Sequence, residues 1–249
     1  MIVNQAPKIL SWSSFGITDT GKIRKHNEDS MLNNPETGLW VVADGMGGHV
    51  AGDVASQMVV NALANISTTN ALKDYLDNIE DCLIDVNKFL IEKAGQLDNK
   101  TTIGSTVVGM IAYEKFCIFF WAGDSRLYRL RDSTLSQLSI DHSQVELYIA
   151  QGIMNRAEAV THPQGNVITR AIGANKNIYI DFDIQEMRIK DRYMLCSDGL
   201  TKHMKDTEFE SMLNEGNSEE ACRSLMQLTL ERGATDNVTA IVIDIDRNE

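Results

Sequence analysis

The chain has 249 residues, 43% of them hydrophobic, and a formal net charge of −12. That is enough apolar material for one sizeable core, and a single domain over 1–249 is the expectation at this length. An acidic surface repels phosphate backbones, which argues against nucleic acid as a partner; it repels phosphorylated proteins too, unless bound cations reverse the local field.

Ser11 to Thr18 and Leu39 to Ala43 read as strands, the second apolar on both faces. Ala51 to Ile66 reads as a helix. Leu72, Leu76, Ile79, Leu83, Val86 and Leu90 recur at steps of four and three, which marks a long amphipathic helix. Strands follow at Thr106 to Ala112, Phe116 to Ala122 and Leu127 to Arg131. A polar, helix-forming excursion occupies Ser143 to Gly165. Strands return at Tyr179 to Ile184, Met187 to Ile189 and Tyr193 to Cys196. Two helices come next, Asp206 to Asn214 and Ser218 to Arg232, the second with Asn217 or Ser218 as N-cap and Gly233 just past its end. Val238 to Ile245 closes the pattern as an alternating, β-branched strand. Strands in runs and helices in pairs indicate an α+β chain with antiparallel sheets covered by helices.

The four cysteines, Cys82, Cys117, Cys196 and Cys222, contain no C-x-x-C pair. This disfavours a disulfide framework or structural zinc and suits a reducing cytoplasm. Met1 to Leu10 has no basic segment leading into a long apolar run, so no signal peptide is expected. The longest apolar stretch, Cys117 to Ala122, is too short to span a bilayer. A cytoplasmic, membrane-free protein is the expectation.

Five segments each set an acidic residue beside glycine or asparagine near a strand end. They hold Glu28 and Asp29, Asp44-Gly45, Gly123-Asp124, Asp198-Gly199, and Asp236-Asn237. A carboxylate at the rim of an apolar core is costly unless it is paired, hydrogen-bonded or metal-bound. Hard oxygen donors without cysteine suit magnesium or manganese better than zinc. Asp-Gly is also the commonest kind of tight turn, and Gly123-Asp124-Ser125 in particular reads as a hairpin turn. The glycine-rich stretch Gly45 to Gly52 lacks the third glycine of G-x-G-x-x-G and has no following G-K-[ST], so it is not a nucleotide loop.

Taken in order, these segments resemble the motifs of the protein phosphatase 2C type of metal-dependent phosphatases, in the bacterial single-domain form. The resemblance rests on Thr18-Asp19-Thr20-Gly21 through Asn27-Glu28-Asp29; Val42-Ala43-Asp44-Gly45-Met46-Gly47-Gly48-His49 with Gly52 and Ala55-Ser56; and Gly104-Ser105-Thr106. It continues through Gly123-Asp124-Ser125-Arg126, Asp141-His142-Ser143, Thr169 to Gly173, Ser197-Asp198-Gly199-Leu200 and Asp236-Asn237-Val238-Thr239. It implies a four-layer αββα sandwich of two antiparallel sheets flanked by helix pairs.

The resemblance also implies roles. Asp44 would bridge two Mn2+ or Mg2+ ions, with the Gly45 carbonyl on one of them and Asp198 and Asp236 completing the other's shell. A hydroxide shared by the ions would attack the phosphorus of phosphoserine or phosphothreonine in line, with no phosphoenzyme. Glu28 and Asp29 would act through metal-bound water, their competing reading being a solvated acidic loop. Asp124 would help hold a third, weaker ion, or else serve as a turn residue. Arg24 would clamp phosphate through its planar, bidentate donors. His49 is either the general acid or a structural histidine. His26, His142, His162 and His203 read as structural or surface residues. Ser143 to Gly165 corresponds to a flap beside the site, its competing reading being an ordinary surface excursion. The implied partners are phosphoserine and phosphothreonine proteins, with a cognate serine/threonine kinase in the same cell and the phosphatase itself monomeric. Two other readings stay open: a pseudophosphatase that binds without turnover, and a two-metal phosphohydrolase acting on small molecules or diesters.

Overall fold

Alternation along the strands decides the layers. The computed structural model of the protein describes residues 10–47, 51–67, 71–97, 102–159 and 162–248. In chain order the elements are β1 (Leu10–Asp19), β2 (Asp29–Asn34), β3 (Leu39–Met46), α1 (Ala51–Ala64), α2 (Leu72–Leu97), β4 (Gly104–Ser105), β5 (Val107–Tyr113), β6 (Phe116–Ala122), β7 (Arg126–Arg131) and β8 (Thr134–Gln137). Then come α3 (Gln144–Ala150), α4 (Arg156–Ala159), β9 (Asp181–Glu186), β10 (Arg192–Cys196), α5 (Asp198–Thr201), α6 (Asp206–Leu213), α7 (Ser218–Glu231) and β11 (Val238–Arg247). One sheet has the order β1-β11-β10-β7-β8; the other has β2-β3-β5-β6-β9, with β4 paired to β3. Each ladder is antiparallel.

In β3, Trp40 and Val42 share a core with Leu195, Ile241 and Ile243 of the facing sheet. Their neighbours Leu39, Val41 and Ala43 pack with Leu63 of α1 and Ile79 and Leu83 of α2. On the far side, Met194, Cys196, Ala240 and Val242 pack with Phe209 of α6 and Cys222 and Leu225 of α7. The order is helix pair, sheet, sheet, helix pair. The unbroken apolar run of β3 follows from this, since a strand covered on both faces has no solvent side. Each large side chain buried in these layers contributes roughly 1.5–3 kcal/mol.

The long amphipathic helix forms as α2. In α7, Asn217 accepts from the Glu220 amide while the Glu220 carboxylate accepts from the Asn217 amide, a reciprocal cap that fixes the helix start. Gly233, at φ +107°, follows its last turn as expected.

Four local readings change. β2, β4, β8 and α5 were not expected, because their sequences are polar or very short. Met187 to Ile189 is not a strand: it carries the chain from β9 in one sheet to β10 in the other, and Asp191 closes a tight turn there on the Arg188 carbonyl. Gly123-Asp124-Ser125 is not a hairpin turn, because β6 and β7 lie in different sheets. Lastly, β3 runs on through Asp44 and Gly45 to Met46 instead of ending at Ala43.

The inward rows of the sandwich share one feature. Trp40 and Val42 lead to Asp44, and Met110 and Val108 lead to Thr106. Tyr193 and Leu195 lead to Ser197, and Ile243 and Ile241 lead to Thr239. Each apolar, period-two row turns polar at the same end of the sandwich, where β3, β6 and β10 finish and β2, β5 and β11 begin. No helix of the described residues is long and apolar enough to cross a membrane. All four cysteines are free thiols.

Candidate functional site

The polar end of the sandwich is built around two carboxylates that sheet pairing sets side by side. Asp29 of β2 stands directly opposite Asp44 of β3 in the antiparallel register. Like charges directly opposite on one face destabilise a sheet. Asp29 is only 6% exposed. Its Oδ2 accepts from Ser197 Oγ and Thr239 Oγ1, both at 2.7 Å, while Oδ1 is buried without a partner. Burial pushes its pKa up to about 6, against the pull of those two hydroxyls and with the push of Asp198 and Asp236. Asp44 is raised well above the carboxylate range, first by burial and then by the charges of Asp29, Asp198, Asp124 and Asp236. Asp44 is therefore close enough to feel all four of the other aspartates.

The backbone around Asp44 is stapled. Its amide donates to Thr106 Oγ1 at 3.0 Å and its carbonyl accepts from the Thr106 amide at 2.8 Å and from Ser105 Oγ at 3.1 Å. Gly45 must be glycine: a Cβ there would stand 1.9 Å from the Gly52 carbonyl oxygen at the start of α1. The Gly45 amide donates to the Glu28 carbonyl at 3.0 Å. The Glu28 carboxylate itself lies against Gly52, beside the first turn of α1, where the helix dipole favours an anion.

Asp124 sits where the chain crosses between sheets, 8% exposed, with Oδ1 buried and unpartnered. Burial, then Asp198 and Asp141, push its pKa up to about 7. His142 anchors this crossing. Its Nδ1 accepts from the Gly123 amide at 3.1 Å, its own amide donates to the Gly123 carbonyl, and its ring stacks on Trp121. Since Nδ1 is the acceptor, the ring proton sits on Nε2, which reaches Asp181 at 3.2 Å. Nearby, Arg126 grips Asp141 through Nε and Nη2. Asp141 is thereby committed to an ion pair.

Asp198 opens the short helix α5. Its Oδ1 is buried and unpartnered, while Oδ2 meets Lys202 Nζ at 2.6 Å, one turn later. Burial raises its pKa, with Lys202 pulling the other way. Asp236, just before β11, takes Lys202 Nζ at 2.9 Å on Oδ2 and Arg24 Nη2 at 2.9 Å. Burial pushes its carboxyl up, but Lys202 and Arg24 outweigh that and hold it below the usual range. Burial works against the charge on Lys202, yet Asp198 and Asp236 more than offset it, so its pKa is raised. Asn237 fixes the loop that carries Arg24: its Nδ2 donates to the Thr20 and His26 carbonyls and its Oδ1 accepts from the Glu28 amide, each at 2.9 Å.

Asp29, Asp44, Asp124, Asp198 and Asp236 thus converge, with Gly45 and Glu28 beside them and Arg24 half-exposed at the rim. The reading of Asp29 as part of a solvated acidic loop is wrong, because its side chain is buried under Ser197 and Thr239. His49 lies outside the described residues. His142 is structural, as expected. Lys202 has no place in the sequence-based expectations, and the motifs that hold Ser197, Asn237 and Thr239 did not indicate which groups those side chains would bond. Lys202 left one local signal, a lysine four residues after Asp198.

The donor set fits divalent cations. Asp29, Asp124 and Asp198 each keep one buried oxygen with no protein partner, an arrangement that costs a few kcal/mol per group unless a cation answers it. Among the described residues, two side-chain cations, Arg24 and Lys202, pair with carboxylates among these five. Among the described residues, however, no three His, Cys, Asp or Glu side chains close into a ready-made cation cage. Part of the reason is visible, since Asp198 and Asp236 each turn an oxygen to Lys202.

The family model for protein phosphatase 2C matches residues 23–240. The chain belongs to the protein phosphatase 2C family. The match includes Arg24 and all five converging aspartates of this phosphatase 2C chain. A serine/threonine phosphatase, Stp, of Listeria welshimeri is 34% identical over 235 residues, which is 91% of this chain and 93% of that protein. PppA, described as a key regulatory component of T6SS in Pseudomonas aeruginosa, superposes with a TM-score of 0.88 at 38% identity, covering 94% of this chain and 98% of that one. The catalytic domain of the serine/threonine protein phosphatase PstP, solved with two manganese ions, has a TM-score of 0.83 at 31% identity over 95% of this chain and 99% of that one.

Proposed function

We infer that the protein is a metal-dependent serine/threonine protein phosphatase. One observation carries the reading: aspartates from five separate segments meet at one end of the sandwich, and three of them keep a buried oxygen that no protein group answers. The relatives named as serine/threonine phosphatases, and the relative solved with two manganese ions, support the same reading.

Asp44, the Gly45 carbonyl, Asp198 and Asp236 are the residues we assign to two Mn2+ or Mg2+ ions, with Asp124 assigned to a third. Bound there, the ions would supply an activated water and neutralise the charge on the phosphoryl group. The chain's own residues do the rest. Asp29, held by Ser197 and Thr239 through Oδ2, keeps Oδ1 buried and without a hydrogen-bond partner. Thr106 and Ser105 fix the height of Asp44. Arg24 offers its guanidinium beside Asp236 for the phosphate of the substrate, on a loop that Asn237 immobilises.

Arg24→Ala should raise KM for a phosphopeptide by about tenfold or more and change kcat less, because it removes phosphate binding and not the reacting groups. Steady-state kinetics on one phosphothreonine peptide checks this; an unchanged KM would remove Arg24 from the site.

The segment 143–165 supports a flap role. α3 and α4 are tied by Arg156 and Glu146, and its base is bonded to the Asp124 crossing through His142. A serine/threonine kinase of the same cell must supply the substrates, since the reaction consumes phosphorylated hydroxyls. The four free thiols agree with a reducing cytoplasm. The decisive assay compares phosphopeptide, nucleotide and phosphodiester hydrolysis with and without chelator. Phosphopeptide turnover that stops with chelator and returns with Mn2+ supports the reading. Turnover indifferent to chelator, or faster on diesters, would sink it.

A further inference from the structure

Lys202 is the unusual group in this site. Its ammonium touches two carboxylates that come from different parts of the chain, Asp198 at 2.6 Å and Asp236 at 2.9 Å. Both belong to the set assigned above to divalent ions, so any role of Lys202 toward those ions rests on that assignment. The contact with Asp198 is an ordinary i,i+4 pair within a helical turn. The contact with Asp236 is not local: it bridges α5 to the segment before β11. The lysine side chain is 28% exposed, so it is held in the site and not waving in solvent.

The two oxygens of Asp198 have opposite surroundings. Oδ1 is buried without a partner, and Oδ2 is taken by Lys202. Asp236 is bonded by both Lys202 and Arg24. The protein therefore sets its own cations on Asp198 and Asp236, while Asp29, Asp124 and Asp198 each keep one buried oxygen without a hydrogen-bond partner.

We propose that Lys202 is a built-in competitor for divalent cations at the Asp198–Asp236 face, and that it sets how weakly an ion is held there. If the ammonium swings out when an ion arrives, the ion must break two salt bridges to enter. If it stays, its positive charge repels the ion from a distance of a few ångströms. Both routes have the same sign. At the effective dielectric of a partly exposed site, a unit charge about 5 Å from a divalent ion costs more than a factor of ten in binding. Arg24 makes its direct contact with Asp236, reaches Asp198 only through its field, and is assigned to the substrate phosphate; Lys202 contacts both carboxylates. The consequence is an exchangeable ion at that face, whose occupancy follows the free metal concentration.

The test is Mn2+ titration calorimetry on the chelator-stripped full chain, with wild type, Lys202→Gln, Lys202→Met and Lys202→Arg, alongside thermal unfolding with and without Mn2+. Lys202→Gln and Lys202→Met should bind Mn2+ about tenfold or more tightly than wild type in at least one step, while Lys202→Arg, which keeps the charge, stays close to wild type. Stripped of metal, the two neutral variants should melt lower, because Asp198 and Asp236 lose their counter-charge, and their stabilisation by Mn2+ should be larger. Unchanged or weaker Mn2+ binding by either folded neutral variant overturns the proposal and leaves the metal-dependent reading standing. A wild-type protein that takes up no Mn2+ at all overturns both.

Discussion

Asp44→Asn is expected to abolish phosphopeptide turnover and at the same time to stabilise the metal-free protein. The two effects share a cause. Asp44 is a charge surrounded by charges: burial raises its pKa, Asp29 sits directly across the ladder, and Asp198, Asp124 and Asp236 add to the repulsion. An amide of the same shape keeps the backbone staples from Thr106 and Ser105, which use only main-chain atoms of Asp44. It removes the repulsion, so unfolding free energy should rise by about 1 kcal/mol or more, an increase of roughly 2–4 °C or more in melting temperature for a chain of this size. Asp44 is the carboxylate proposed above to be shared between two ions, and on that assignment kcat should fall by about three orders of magnitude or more. Calorimetry in chelator and a phosphopeptide assay on the same preparation measure both sides. Wild-type turnover by the variant would remove Asp44 from the site, and a lower melting temperature would show that its charge is answered within the chain. A residue that is costly to the fold and required for turnover is what a functional site is expected to contain.

Stripped of divalent cations, the protein should lose stability as pH rises from about 5 to 8. The sign follows from the carboxyl groups whose folded pKa is raised. Asp29 is pushed up to about 6 and Asp124 to about 7, with Asp44 and Asp198 raised as well. In the unfolded chain these groups ionise near pH 4, so the folded state holds extra protons in this window. That contribution is fully present below the unfolded pKa and is lost as pH rises through 6 and 7. Asp236, held low, acts only under acid conditions. His142, lowered chiefly by burial and then by Arg170, works in the opposite direction, but it is one group against four. The loss should be on the order of a few kcal/mol. Saturating Mn2+ should abolish it, because an ion binds the ionised carboxylates and replaces the protons. Melting curves at pH 5.5 and 8, with chelator and with Mn2+, measure this. A chelated protein that grows more stable toward pH 8 would mean that the aspartates are already neutralised by the chain itself.

The convergence behind both predictions was only partly legible in the sequence. Asp44, Asp198 and Asp236 announce themselves locally, each beside glycine or asparagine next to a strongly apolar strand. Asp29 does not. Its strand, Asp29 to Asn34, is polar and forms an edge of its sheet beside β3, so periodicity alone offers no reason to expect it. Asp124 misled in the other direction, since Gly123-Asp124-Ser125 has the composition of a hairpin turn and instead spans from one sheet to the other. Which of the two connections forms depends on where β7 finds its partner, and that partner is β10, some sixty residues later. The pairings of Asp29 with Ser197 and Thr239, and of Asn237 with the backbone of Thr20, His26 and Glu28, likewise join segments far apart in the chain.

What the sequence by itself determined is local in kind: the long helix α2, the doubly covered strand β3, the cap of α7, and the oxygen-only chemistry of acidic residues set at strand ends. Those properties depend on side-chain periods and on residues a few positions apart. Only the tertiary structure decided that five of those acidic residues share one end of the sandwich, that Asp29 faces Asp44 across a ladder, and that Lys202 reaches two of them at once. The physical reason is register. A shift of one residue in any antiparallel pair would turn the polar end of an inward row to the helix side and scatter the cluster, and register is set by long-range burial that no short window of sequence contains.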